Sequence, residues 1–181
     1  FGVGYLIAEL YQSSPLPKWA RACLEAYLTK GSADDLTPPE DPRFKLRRAS
    51  FVTLHKDGKL RGCIGTIEPW RENLAQEIKH NAIAAGTQDP RFWPVEAEEL
   101  LSLTISVDVL GDMEKISGLD ELDPWRYGVV VRGRGRTGLL LPCLEGINTP
   151  EEQVSIAKQK AGLSKDEPVE MWRFEVVRHY E

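Results

Sequence analysis

The segment Leu60-Arg61-Gly62-Cys63-Ile64-Gly65 brings together the residue types best suited to chemistry in this chain: a thiol, a guanidinium two positions away and two glycines. In a strand, side chains repeat with period two, so Arg61 and Cys63 are expected on one face. A cation beside a thiol favours the thiolate, which is the nucleophilic form. Gly62 and Gly65 remove side-chain bulk and let another backbone or a ligand approach. A structural reading accounts for the same residues. Cysteine is among the most buried residue types, glycines mark bulges, and Arg61 can pair with a carboxylate from a neighbouring loop.

A cysteine nucleophile commonly works with a histidine base. The chain offers His55, His80 and His179. His55 falls beside a hairpin turn and reads as solvent-facing, His80 falls on a helix and His179 near the end, so a Cys-His hydrolase is not favoured. Gly133-Arg134-Gly135-Arg136-Thr137-Gly138 spells the dinucleotide-binding pattern, but Leu139-Leu140-Leu141-Pro142 follows where that motif needs a helix. A hairpin tip is the better reading. Its arginines Arg132, Arg134 and Arg136 read as a solvated loop rather than a phosphate or RNA contact. Glu96, Glu98 and Glu99 read as a solvated helical face, and Asn81 as a polar group that finds hydrogen bonds within the fold.

Several elements must position these residues. Ser14-Pro15-Leu16-Pro17 can cap and open a helix whose apolar residues Trp19, Cys23 and Tyr27 recur at spacing four, with Gly31 as its stop. Residues 50–55 and 60–66, joined by Lys56-Asp57-Gly58-Lys59, read as a β-hairpin. Leu74, Ile78, Ala82 and Ala85 mark a helical face that Asp89-Pro90 ends. Residues 101–109 alternate strictly between apolar and polar, which favours an antiparallel sheet with one buried face. Residues 127–132 and 139–141 form a second hairpin, Thr149-Pro150-Glu151-Glu152 is a capping box, and residues 169–177 read as a closing strand.

With 181 residues, 41% of them hydrophobic, the chain is long enough for one domain with a real core. A net charge of −5 speaks against a nucleic-acid binder driven by bulk electrostatics. Its three cysteines include no Cys-x-x-Cys pair, so neither a disulfide framework nor a zinc site is expected. No apolar run approaches the roughly 18–20 residues of a membrane span. The opening residues lack the basic head of a secretory signal, and the expected location is cytoplasmic.

The hexapeptide, the Asn81-Ala82 … Asp89-Pro90-Arg91-Phe92 block, Gly138-Leu139-Leu140-Leu141-Pro142 and the closing Arg173-Phe174-Glu175 together resemble the AMMECR domain family, known in prokaryotes as AmmeMemoRadiSam system protein A. The resemblance runs from about residue 16 to the end and leaves residues 1–12 outside the pattern. It implies an α+β fold with a central antiparallel sheet and flanking helices, a larger and a smaller subdomain, and a cleft near the hexapeptide, all within a single domain spanning residues 1–181. It also implies a setting with Memo-like and radical-SAM partner proteins, without fixing a reaction. The family signature falls on Arg61, Gly62, Cys63, Ile64 and Gly65, and on Asp89, Arg91 and Phe92.

The leading expectation is an enzyme or enzyme subunit of such a modification pathway. Cys63 would be the nucleophile or covalent carrier and Arg61 its electrostatic activator, while Gly62, Gly65, Asp89, Arg91 and Phe92 line the substrate site. No cofactor, metal, membrane or nucleic-acid partner is expected, and the chain would act as a monomer or homodimer. The alternatives are a non-catalytic protein- or ligand-binding module of the same system and, more weakly, an RNA-binding domain using residues 43–48 with the Arg132–Arg136 loop.

Overall fold

The Ser14 hydroxyl accepts the Leu16 N–H, and Pro15 occupies the first turn of helix α1, Pro15–Lys30. Gly31 ends that helix in the left-handed region at φ 80°, where its N–H bonds the Tyr27 carbonyl. In this computed structural model the described residues are 14–181, and segment 1–12, outside the expected pattern, lies outside them. The chain divides into two compact units. One runs to Val109 and takes back Arg178–Glu181; the other is Leu110–Val177.

In the first unit, strands β1 (Ser50–Lys56) and β2 (Lys59–Gly65) form the expected hairpin. Asp57 and Gly58 both take positive φ, 52° and 72°, the backbone a two-residue turn demands. Helix α2, Leu74–Thr87, is capped by Asn73, whose side chain accepts the Gln76 N–H. It packs against β1, β2 and α1. Strand β3 is Leu103–Leu110. Trp19, Cys23 and Leu24 of α1, Ile78, Ala82 and Ala85 of α2, Val52 and Leu54 of β1, and Ile105 and Val107 of β3 form one core.

The alternation from Leu101 to Val109 holds in part. Residues 97–102 are a 3-10 turn rather than strand, and Leu101 is 98% exposed. Ser106 and Asp108, on the face expected to be polar and open, are buried, and Asp108 is bound by the Arg178 guanidinium at 2.7 and 3.0 Å. A charge can be buried this way because the partner and its hydrogen bonds replace water.

The second unit contains β4 (Glu114–Ile116), β5 (Gly128–Gly133), β6 (Arg136–Leu140), helix α3 (Pro150–Lys160) and β7 (Glu170–Phe174). Arg134 and Gly135, at φ 48° and 70°, make the hairpin tip between β5 and β6. Thr149 and Glu152 form the reciprocal capping box at the start of α3. Ile116, Leu122, Val129, Val131, Leu140, Val154 and Ala157 are its core.

Two four-stranded sheets result, ordered β2-β1-β3-β8 and β4-β7-β5-β6, in which β1 pairs antiparallel with β2 and β3, β7 with β4 and β5, and β5 with β6. The closing strand expected over residues 169–177 is two strands broken at Glu175. β7 joins the second sheet, and β8 (Val176–Tyr180) lies beside β3 in the first. The fold is a mixture of helix and antiparallel sheet, as expected, with a sheet in each unit rather than one central sheet.

Candidate functional site

The hairpin carrying Cys63 contains a slip. His55 pairs with Leu60, but Leu54 pairs with Gly62, which leaves Arg61 as an extra residue without a partner in the ladder. Such a bulge interrupts the two-residue alternation. The expectation of a shared face rests on that alternation, and Arg61 and Cys63 in fact turn to different partners.

Beyond the slip, Cys63 stands opposite Thr53. The Cys63 N–H points away from β1 and donates to Asp89 Oδ2 at 2.9 Å. Thr53 and Cys63 are therefore a non-hydrogen-bonded pair, the class in which facing side chains come closest. Accordingly Thr53 Oγ1 lies 3.2 Å from Cys63 Sγ. The thiol is partly buried, unlike buried Cys23 and exposed Cys143. Gly62 faces α2, where an added Cβ would lie 2.2 Å from the Ala85 carbonyl oxygen. A Cβ at Gly65 would lie 2.2 Å from the Phe51 ring. Both glycines thus have a packing reason for their identity.

The loop after α2 covers the outer edge of β2. Asp89 is 5% exposed and accepts four hydrogen bonds, from the main-chain N–H groups of Cys63 and Arg91 and from Arg91 Nε and Nη2. The Arg91 side chain holds the Asp89 carboxyl down at about 2, with the two N–H groups adding to it against the opposing effect of burial. Arg91 Nη2 also donates to the Cys63 carbonyl at 3.4 Å, and its guanidinium lies 5.6 Å from the Phe92 ring centre. The side chains of Asp89 and Arg91 thereby occupy the positions a neighbouring strand would take. This brings Cys63, Asp89, Arg91 and Phe92 into one constellation.

Arg61 belongs to the other end of the same loop. Its guanidinium donates to both Glu99 carboxylate oxygens, at 3.2 and 2.9 Å, and to the carbonyls of Trp93 and Pro94. Lys56 bonds Glu99 as well, at 2.8 Å. The Arg61 and Lys56 bonds hold the Glu99 carboxyl at about 2. Glu99 is therefore an organising residue where the sequence suggested only a solvated face. No local signal marks it, because its partners lie far away in the chain. Thr53 carries no signal in the sequence either, since the slip that sets it opposite Cys63 has no signature of its own there.

Other residues are accounted for within the fold. Asn81 donates to the carbonyl and hydroxyl oxygens of Ser50, as expected. Glu77, 1% exposed, accepts the Thr66 hydroxyl and the Trp70 and Arg71 N–H groups, which ties down the loop after β2. His80 has its pKa lowered, chiefly by burial, and His179 Nδ1 lies 3.0 Å from Ser14 Oγ. In the second unit, Arg132 sits over the Trp172 ring, Arg134 pairs with Glu167, and Arg136 donates to the Gly162 carbonyl. Among the described residues no group of three or more His, Cys, Asp and Glu could hold a metal ion, and no helix is long and apolar enough to cross a membrane.

The fold has a counterpart among solved structures, and the sequence has relatives. The chain is similar to an uncharacterised Pyrococcus horikoshii protein whose crystal structure superposes with a TM-score of 0.82 at 32% identity, covering 90% of this chain and 88% of that one. A Thermotoga maritima protein is 51% identical over 169 residues, 91% of this chain and 97% of its own length. A longer Clostridium acetobutylicum protein is 47% identical over 173 residues, which span 94% of this chain and 36% of that protein. The AMMECR1 family profile matches residues 17–179, and on that match the chain belongs to the AMMECR1 family.

Proposed function

We propose that this chain is an enzyme or enzyme subunit in which Cys63 bonds covalently to its substrate, as nucleophile or carrier. The observation that carries this reading is the clamped thiol. Cys63 is partly exposed, its N–H is held by Asp89 and its carbonyl by Arg91, and its sulfur lies 3.2 Å from the Thr53 hydroxyl. A nucleophile fixed on both sides of its main chain spends little freedom in reaching a reactive geometry.

In the step envisaged, the thiol proton leaves to solvent and the Thr53 hydroxyl donates to the resulting thiolate. The sulfur lone pair forms an S–C bond to an electrophilic carbon as the bond from that carbon to its leaving group breaks, the leaving group taking the bonding pair. Arg91, rather than Arg61, supplies the neighbouring positive charge, because Arg91 reaches the Cys63 carbonyl and is largely exposed, whereas Arg61 is mostly buried against Glu99 and two carbonyls. Phe92 flanks the Arg91 guanidinium, while Gly62 and Gly65 act by letting β2 pack closely on α2 and Phe51. The family resemblance adds a setting, a modification pathway shared with a radical-SAM protein and a Memo-like protein, in which the whole chain acts as one cytoplasmic domain.

Limiting iodoacetamide added to the folded protein, followed by peptide mass analysis, tests the chemistry. Label is expected on Cys63 ahead of the more exposed Cys143. Preferential labelling of Cys143 would contradict it.

One observation favours a second reading, a binding module without catalysis. Trp93, whose carbonyl accepts Arg61, is 88% exposed, and Trp70 is 78% exposed. Exposed tryptophans of this kind are common anchors of protein interfaces. Under this reading Cys63→Ser leaves capture of Memo-like and radical-SAM partners unchanged and Trp93→Ala weakens it.

A further inference from the structure

Arg91 is held in an unusual division of labour. Its partner Asp89 has a side chain only 2% exposed, while the arginine side chain is 56% exposed. Nε and Nη2 are used on Asp89, and Nη2 also on the Cys63 carbonyl. Nη1 makes no hydrogen bond among the described residues, so one end of the fork is presented outward. The Asp89 charge is spread over four donors behind the guanidinium, so an approaching anion meets Arg91 first.

We infer that the Cys63 site takes an anionic substrate, one whose carboxylate or phosphate group docks on the outward edge of Arg91 while its electrophilic carbon meets the Cys63 sulfur. Arg91 is then the residue that selects for charge, and Asp89 the one that aims it. The inference rests on the proposed reactivity of Cys63 and adds the class of substrate. Because the guanidinium is already fixed by Asp89 and the Phe92 ring, little side-chain freedom is lost when an oxyanion binds.

The test compares iodoacetate with iodoacetamide, two alkylating reagents that differ chiefly in charge, on the folded full chain. Cys143, exposed and in the same molecule, is the reference thiol. The iodoacetate to iodoacetamide rate ratio at Cys63 is expected to exceed that at Cys143 by roughly fivefold at low salt, the scale of one ion pair near a wet surface. It should fall toward the Cys143 ratio as salt is raised. Arg91→Gln should abolish the excess and Arg91→Lys should keep part of it. The salt series needs no variant, so it decides the matter even where Arg91→Gln fails to fold. Equal ratios at the two thiols with brisk iodoacetamide reaction at Cys63 would overturn the anionic substrate and leave the covalent reading standing. A Cys63 inert to both reagents would overturn both.

Discussion

Thr53 Oγ1 lies 3.2 Å from Cys63 Sγ because the β2 strand carries one extra residue, Arg61, relative to β1. Without that slip, Thr53 would face Gly62 and its hydroxyl would have no thiol to meet. The contact matters because a hydroxyl that donates to a thiolate stabilises the reactive form.

Replacing Thr53 therefore acts on reactivity more than on folding. A hydrogen bond of this kind contributes about 1 kcal/mol, so Thr53→Val should slow alkylation of Cys63 at neutral pH by roughly fivefold. Thr53→Ser keeps the hydroxyl and should keep most of the rate. Equal rates in Thr53→Val and the parent protein would remove Thr53 from the mechanism.

Gly62 is fixed by packing. A Cβ there would sit 2.2 Å from the Ala85 carbonyl oxygen, which belongs to the α2 backbone and cannot swing aside as a flexible side chain would. Gly62→Ala should cost about 2–3 kcal/mol of stability in urea unfolding, the usual scale of overpacking. A cost near zero would mean that the helix yields easily.

Acid should dismantle the loop that holds Cys63. Asp89 is held at about 2 against an ordinary 3.8, mainly by Arg91, and Glu99 at about 2 against 4.5, mainly by Arg61. A carboxyl whose folded pKa is depressed stabilises the fold fully above its unfolded pKa, and that contribution is lost as pH falls through the folded value. Wild-type protein should thus exceed Asp89→Asn in unfolding free energy by about 2 kcal/mol at neutral pH. The difference should shrink between about pH 4 and pH 2. A gap independent of pH through that window would show that the Asp89 charge contributes nothing.

Cys23 should behave as the silent thiol. It is fully buried within α1, and burial pushes its pKa up to about 12. Its alkylation should follow the global unfolding transition in guanidinium, with no reaction in the folded baseline. Earlier reaction would mean that α1 opens locally.

Local chemistry in the sequence was legible where it acts locally. Asp57-Gly58 marked the hairpin turn, Ser14-Pro15 and Gly31 bounded α1, and Thr149 with Glu152 marked the start of α3. Each involves groups within a few residues of one another, so short-range rules apply. The hexapeptide and the Asp89-Pro90-Arg91-Phe92 block could be named as site residues, but their junction through the Cys63 N–H joins positions 26 apart in the chain. The β2 slip, the Asp108–Arg178 pair that buries a supposedly open strand face, and the break at Glu175 that sends β7 and β8 to different sheets all follow from long-range pairing. Alternation of residue types carries no record of such choices.

The reactivity of Cys63 is tested most directly by its rate of alkylation by iodoacetamide against pH in the folded protein, read peptide by peptide with Cys143 alongside. A covalent role for Cys63 predicts a rate that rises and levels off well below the free-thiol value of about 8.5, ahead of Cys143. A Cys63 that reacts only after the protein unfolds would contradict it.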